Sequence, residues 1–248
     1  MVDRTAPDVD MIILPELWHV GAFDVEAARA HAQPIDGPLV TSLGALAAEH
    51  RIWLHGGSFC ELGDDGRHYN TSVLFAPDGA LVVSYRKIHL FFEEKLWFSP
   101  GDRKPAVYDI GACRVGVMIC FDWFFPEMTR ILALQGADVI CHSANLVLPY
   151  CQDVMITRCL ENRVFAVTCN RTGSEQRGGK TLAYTGRSQI VDPRGNVLFR
   201  AGRETEEIRV ADVDVKAARD KQLNEHNNLF ADRRPRFYGA LVGEPEGG

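Results

Sequence analysis

Glu16, Lys87 and Cys120 each stand after a short apolar run, and a carboxylate, an ammonium and a thiol together can make a nucleophile. The runs are Met11 to Leu14 (MIIL), Leu81 to Arg86 and Val115 to Ile119. A free thiol is only a few per cent thiolate at neutral pH, so it attacks carbon only with help. A glutamate denied full solvation has a raised pKa and can take the thiol proton. A lysine beside the pair favours the thiolate and later stabilises an oxyanion. Each residue also has a plainer reading alone: a helix-start acid, a solvated strand-end charge, a buried thiol. The case for covalent catalysis rests on the three together.

The clearest local signal is CRVGVMICFDWFFPE, from Cys113 to Glu127. Val115, Val117 and Ile119 are β-branched and alternate with Gly116, Met118 and Cys120, the pattern of a buried strand. It breaks at Phe121-Asp122 and restarts at Pro126-Glu127. Proline suits a first helical position, and an acid there complements the positive end of the helix dipole. Cys120 therefore belongs on a strand-to-helix elbow, where backbone N–H groups are free to bind an anion. Strand ends on one side of a sheet converge, so positions 16, 87 and 120 can meet.

The remaining segments supply the frame. Leu39 to His50 has helical spacing, and Ile52 to Gly57 reads as a strand. Thr71 to Ala76 and Leu81 to Arg86 are strands around the turn Pro77-Asp78-Gly79. Ala106 to Ile110 pairs with Arg114 to Ile119. Asp138 to Ser143 and Val164 to Asn170 are strands, and Met128 to Gln135 and Cys151 to Asn162 helices. Arg187 to Val191 and Val197 to Arg200 form a second hairpin. Ile208 to Val213 alternates as a strand, and Val215 to Leu223 has a short helix pattern. Crossovers through helices, mixed with tight hairpins, predict an α/β fold with mixed sheets. The tail from 224 to 248 is irregular, and its last few residues are expected to be disordered.

Composition narrows the partners. With 248 residues, 46% hydrophobic and 24% charged, and no linker-like interior, the chain is expected to form one soluble domain over 1–248. A net charge of −6 with scattered basic residues gives no footprint for nucleic acid or a membrane surface. No apolar run approaches the ~20 residues that cross a bilayer. Seven cysteines at irregular spacing, with no apolar leader, fit a reducing cytosol rather than a disulfide scaffold. Most of them read as small buried hydrophobes.

LPELW (Leu14 to Trp18), YRKIHLF (Tyr85 to Phe91) and VGVMICFDWFFPE (Val115 to Glu127) resemble, in content, order and spacing, the three signature blocks of the nitrilase superfamily of carbon–nitrogen hydrolases. The similarity continues through NLVLPY from Asn145, LENRVF and DRRPRFY. Among branches, CFDWFFPE and SANLVLPY are most similar to the archaeal-type nitrilases and small amidases. The resemblance implies a catalytic triad of Glu16, Lys87 and Cys120, with an additional active-site acid at Glu94 and neighbouring Glu93 as the rival position. It implies a four-layer α-β-β-α sandwich, pairing into a homodimer or higher homo-oligomer, and no metal or organic cofactor. Members ordinarily carry a strand and a helix before the glutamate block, whereas about ten residues precede it here. The chain is therefore expected to start at a late methionine or to lack that unit, which would leave backbone unpaired at a sheet edge.

The expected reaction is hydrolysis of a carbon–nitrogen bond, with a small amide first in order, a nitrile second and an N-carbamoyl amine third. The backbone N–H of Phe121 is the proposed second oxyanion donor beside Lys87, and Glu94 orients the substrate nitrogen or the water. Phe91, Phe92, Trp97, Phe121 and Trp123 are candidate pocket walls, against the reading of plain core packing. Asn145 is a candidate substrate-contacting amide, against that of a turn residue bonding its own backbone. Arg158, Glu161, Asn162 and Arg163 read as structural ion pairs or interface contacts. The segment 224–238 suits packing over a partner subunit, or wrapping its own domain. A Cys-His hydrolase using His89 or His142 lacks a recognisable third orienting residue. A zinc site from Cys141 and His142 lacks a second ligand pair. A non-catalytic binding protein is the remaining alternative, and the intact triad positions stand against it.

Overall fold

A computed structural model describes residues 2–21, 25–177 and 180–243. A short helix α1 (Val2–Thr5) leads into strand β1 (Met11–Ile13); α2 (Val25–Ala30) and α3 (Pro38–His50) follow. Strands β2 (Trp53–Leu62), β3 (His68–Phe75) and β4 (Leu81–Arg86) complete a sheet of order β1-β2-β3-β4. After α4 (Glu94–Trp97) come β5 (Val107–Asp109), β6 (Arg114–Ile119), α5 (Pro126–Leu134), β7 (Val139–Ser143), α6 (Cys151–Asn162) and β8 (Phe165–Cys169). A separate hairpin, β9 (Ser174–Arg177) with β10 (Lys180–Ala183), precedes β11 (Gln189–Val191), β12 (Val197–Arg200) and α7 (Lys216–Arg219). The second sheet has the order β12-β11-β8-β7-β6-β5, with β6, β7 and β8 parallel and its flanks antiparallel. Both sheets are mixed, as the crossovers and hairpins in the sequence implied.

Strand periodicity explains the layering. On β3, Leu74 joins the main core with Val115, Val117 and Ile119 of β6. Its neighbours Val73 and Phe75 point the other way, onto Val40, Leu43 and Ala47 of α3. On β6 the alternate residues meet α5: a Cβ on Gly116 would stand 3.0 Å from Leu132, and Thr129 reaches the Met118 sulfur at 3.6 Å. Helix, sheet, sheet and helices therefore stack in four layers. Buried polar groups stitch the two sheets together. The Ser143 hydroxyl donates to the Leu14 carbonyl (2.7 Å) and accepts from His55 Nδ1 (3.3 Å), whose Nε2 accepts from Ser72 (2.8 Å).

The turns form for the expected reasons. The Asp78 carboxylate takes the Ala80 N–H, Gly79 adopts φ 85°, and Asp192 takes the N–H groups of Arg194 and Asn196 in the second hairpin. One expected strand is absent. Residues 203–214 lie exposed and outside any ladder, with Ile208 and Val210 lining a surface pocket alongside Arg4, Thr5 and Asp8. Alternation alone does not make a strand; a neighbour must satisfy its backbone. The helix expected over 215–223 is only the single turn α7. Helices α2 and α4 and the β9–β10 hairpin were not legible in the pattern. The expectation of disorder in the last few residues bears largely on 244–248, outside the described residues. All seven cysteines are free thiols, and no helix among the described residues is long and apolar enough to cross a membrane.

Candidate active site

In the first sheet β1 is parallel to β2, and β3 and β4 each reverse direction, so β1 and β4 end on the same side. Glu16 follows β1 and Lys87 follows β4. Cys120 and Asn145 follow β6 and β7, which end side by side in the second sheet. The turn after β1 is tight. Gly57 has φ 70°, and a Cβ there would stand 2.0 Å from the Pro15 carbonyl oxygen. Leu17 is left-handed at φ 41°, held by its N–H on Ser58 Oγ at 3.1 Å.

Four side chains from four separate segments form a dry polar floor. Lys87, 1% exposed, donates to Glu16 Oε1 at 2.8 Å and to Glu94 at 2.7 Å (Oε2) and 3.0 Å (Oε1). Asn70 Nδ2 donates to the same Glu16 oxygen at 2.8 Å and to Glu94 Oε1 at 3.1 Å. The Phe91 N–H completes the set on Glu94 Oε2 at 2.7 Å. Burial alone would lower the Lys87 ammonium, but Glu16 and Glu94 outweigh it and hold Lys87 well above its usual range. Burial pushes the Glu94 carboxyl up while Lys87 pulls it back. The floor thus gathers the charge of two carboxyl groups and one ammonium in a buried site.

That charge acts on the sulfur. Burial raises the Cys120 thiol well above its ordinary range and Glu16 raises it further; Lys87 and a hydrogen bond from the Asn145 backbone oppose them. The resting group is therefore a thiol. Lys87 favours the thiolate as the sequence led one to expect, but burial and Glu16 outweigh it.

Cys120 itself is left-handed, at φ 40°, and opens a 3-10 turn over Cys120–Phe124. A β-carbon makes this conformation costly, so surrounding contacts must hold it. His142 Nε2 donates to the Cys120 carbonyl at 3.0 Å, and Thr168 donates to its Nδ1 at 3.2 Å. Asp122, wholly buried, accepts from the Ile119 N–H (3.0 Å) and Tyr85 hydroxyl (2.8 Å) on one oxygen, and from His89 Nδ1 (2.8 Å) on the other. Tyr85 and His89 flank Lys87, so one carboxylate ties the cysteine elbow to the lysine segment. Burial and then Asp122 push the Tyr85 phenol up, which keeps it a donor. The His89 ring stacks on Phe125 at 3.6 Å between centroids.

The structure thus brings Glu16, Lys87 and Glu94 into direct contact, near enough for each to act electrostatically on Cys120, while Glu93 precedes the helix that carries Glu94. Phe91 and Phe121 meet ring to ring at 5.1 Å, and Phe92 is exposed next to them. Trp97 lies under Arg29 at 5.9 Å. Trp123 is packed in the main core, which fits packing rather than a pocket wall. The Asn145 amide donates to the Glu16 carbonyl at 2.8 Å and so holds the glutamate turn. His89 and His142 engage Asp122 and the Cys120 carbonyl rather than the thiol. Cys141 faces the Met11 sulfur at 3.9 Å, away from the partners of its neighbour His142. Arg158 pairs with Glu161 at 3.1 Å along α6. Sequence reasoning missed Asn70 and Asp122. Asp122 interrupts an apolar stretch, where burial demands a partner, whereas Asn70 sits among polar and aromatic neighbours from His68 to Ser72 and carries no such signal.

A family model for carbon–nitrogen hydrolases matches residues 2–222. The chain is 44% identical to a nitrilase from Pyrococcus abyssi, over 92% of this chain and 86% of that one. It is 36% identical to an (R)-stereoselective amidase from a Pseudomonas species, over 98% of this chain and 86% of the other. Among solved structures it is similar to a carbon–nitrogen hydrolase from Helicobacter pylori, with a TM-score of 0.83 and 23% identity over 98% of this chain and 93% of that one. That last likeness is one of fold.

Proposed function

Given that the chain belongs to the carbon–nitrogen hydrolase family, we propose that it hydrolyses a small amide through a thioester on Cys120, with small nitriles as the second substrate class. The single observation that carries this reading is the buried contact of Lys87 with both Glu16 and Glu94 near a strained cysteine elbow. Glu16 takes the proton from Cys120 as the sulfur attacks the amide carbon. Lys87 and the Phe121 N–H hold the negative charge that forms on the oxygen. The carbon–nitrogen bond then breaks, and the proton on Glu16 leaves with the nitrogen as ammonia. Water, deprotonated by the same carboxylate, opens the thioester to the carboxylic acid and restores the thiol.

Each Glu94 oxygen already takes two donors, from Asn70 and Lys87 on one and Lys87 and the Phe91 N–H on the other, so we assign Glu94 to fixing Lys87 rather than to meeting substrate. The apolar rings of Phe91 and Phe121 at the elbow favour uncharged acyl groups. The nitrile reading is kept because the Pyrococcus relative carries that name and shares 44% identity. A homo-oligomer, with the 224–238 segment at the interface, belongs to the same proposal.

The test is a panel of small amides and nitriles scored for ammonia release, with acid and amide products resolved. Amides turned over faster than matched nitriles are expected; the reverse order moves the assignment to nitriles. Cys120→Ala and Glu16→Gln should each remove turnover, by at least about a thousandfold, without unfolding the chain. Full activity in either variant ends the proposal.

A further inference from the structure

We propose that Asn70 is the positioning residue that decides which carboxylate oxygen receives the thiol proton. Its amide pins Glu16 through Oε1, so that Oε2 is the oxygen left open to Cys120. The inference rests on Glu16 acting as the base, and it adds a residue outside the three signature blocks.

The topology places Asn70 between the segments that carry the acid and the ammonium. Glu16 and Lys87 leave β1 and β4, at the two edges of a sheet ordered β1-β2-β3-β4. Three strand spacings separate them, roughly 14 Å at 4.7–4.9 Å each. Asn70 stands on β3 between them, in register with Cys60, and its carbonyl accepts the Lys87 N–H at 2.8 Å. Its side chain is fully buried.

The orientation of the amide is fixed chemically. Both its neighbours are carboxylates, which accept only, so the nitrogen must face them. With two hydrogens, Nδ2 serves Glu16 Oε1 and Glu94 Oε1 at once. Glu16 Oε1 thus takes two donors, from Lys87 and Asn70, and no donor among the described residues reaches Oε2. Glu94 differs, since both its oxygens are served. A proton arriving at the cluster therefore meets a single unserved oxygen, and it belongs to Glu16. Among the described residues the acceptor end of Asn70 has no hydrogen-bond partner in return.

Charges face Glu16 from every element packed around it: Lys87 after β4, Glu94 on α4, Cys120 on the elbow and His142 on β7. Removing the neutral donor leaves the carboxylate less stabilised against these, so its proton is held more tightly. In Asn70→Leu, kcat/KM should fall about a hundredfold, and the acid limb of its pH profile should move about one pH unit upward. Asn70→Asp keeps the shape and adds negative charge, and its acid limb should move further in the same direction. A scaffold role alone would lower the rate with the limb unmoved, which overturns the proposal. If Asn70→Leu does not fold, Asn70→Asp carries the test alone: an unmoved or lowered limb overturns it. Glu16→Gln, measured alongside, separates the two levels. Loss of activity there with an unmoved limb in the Asn70 variants sinks the positioning role only, whereas retained activity sinks the base assignment itself.

Discussion

The floor of the site and the segment 203–214 distribute polar and apolar groups in opposite ways. In the floor, two carboxylates, an ammonium and an amide are shut away from water. In the segment, Ile208, Val210 and Val213 stand in it. Hydrophobicity alone would predict neither. The floor is tolerated because each of its charged groups has donors or acceptors arriving from β3, β4, α4 and the turn after β1. The segment carries a strand-like alternation, yet no neighbouring strand accepts it. What separates the two regions is the supply of partners from distant chain, not the local pattern.

The most direct way to break that contrast is to withdraw a partner from the floor. Lys87→Met keeps the length and apolar stem but leaves Glu16 and Glu94 facing each other without a cation. Removing one member of a buried ion set typically costs about 3–5 kcal/mol, because an uncompensated charge stays behind. Activity should fall by at least about a hundredfold as the oxyanion donor goes. Denaturant unfolding at pH 7 and again at pH 5 reads the effect. The deficit should shrink at pH 5, where one carboxyl can take a proton. A loss under 1 kcal/mol at both pH values would show that the floor does not depend on its partners.

A smaller, distributed effect should appear as pH varies. Burial lowers His55 to about 3 and His19 to about 4, against an ordinary value of 6.5, and also lowers His142. Their share of stability is present above 6.5 and is lost as pH falls, by at most about 1.4 kcal/mol per pH unit for each. Glu94, raised by burial, works the other way on the acid side, but one carboxyl does not outweigh three imidazoles. On the alkaline side burial raises every cysteine, Cys113 to about 11 and Cys60 and Cys169 to about 12, from an ordinary 9.0. The native state keeps those protons after the unfolded chain has released them, so stability falls above pH 9. Thermal melts should therefore plateau between about pH 6.5 and 9. A midpoint still rising at pH 10 would contradict the burial of the thiols.

The same contrast explains what could be read in the sequence. Strand β6 was legible because β-branched alternation, the break at Phe121 and the proline at 126 all agree on one elbow. The positions of Glu16, Lys87 and Cys120 were legible because each stands at or just past the end of an apolar strand. Asn70 and Asp122 were not, because their value lies in contacts with residues 24 to 54 positions away, on elements whose register no local pattern gives. The place of Asn145 after β7 was legible in the same way, and its bond to the Glu16 carbonyl was not, because it too spans distant chain. Residues 208–213 erred in the other direction, since Ile208 and Val210 alternate with a polar residue between them and the pairing neighbour is missing.

The finest form of the comparison is one chemical change made in both kinds of place. Val117 and Val210 each sit in an alternating β-branched run, and both are replaced by threonine, which keeps the shape and exchanges a methyl for a hydroxyl. Val117 lies between the sheets at 3% exposure, where the hydroxyl finds no water, so Val117→Thr should cost about 1–3 kcal/mol. Val210 is 53% exposed, and Val210→Thr should stay within about 0.5 kcal/mol. Chemical denaturation of the two variants under one set of conditions gives both numbers. Equal costs would mean that the segment is buried against something in solution, and the contrast between floor and segment would then be one of occupancy rather than of fold.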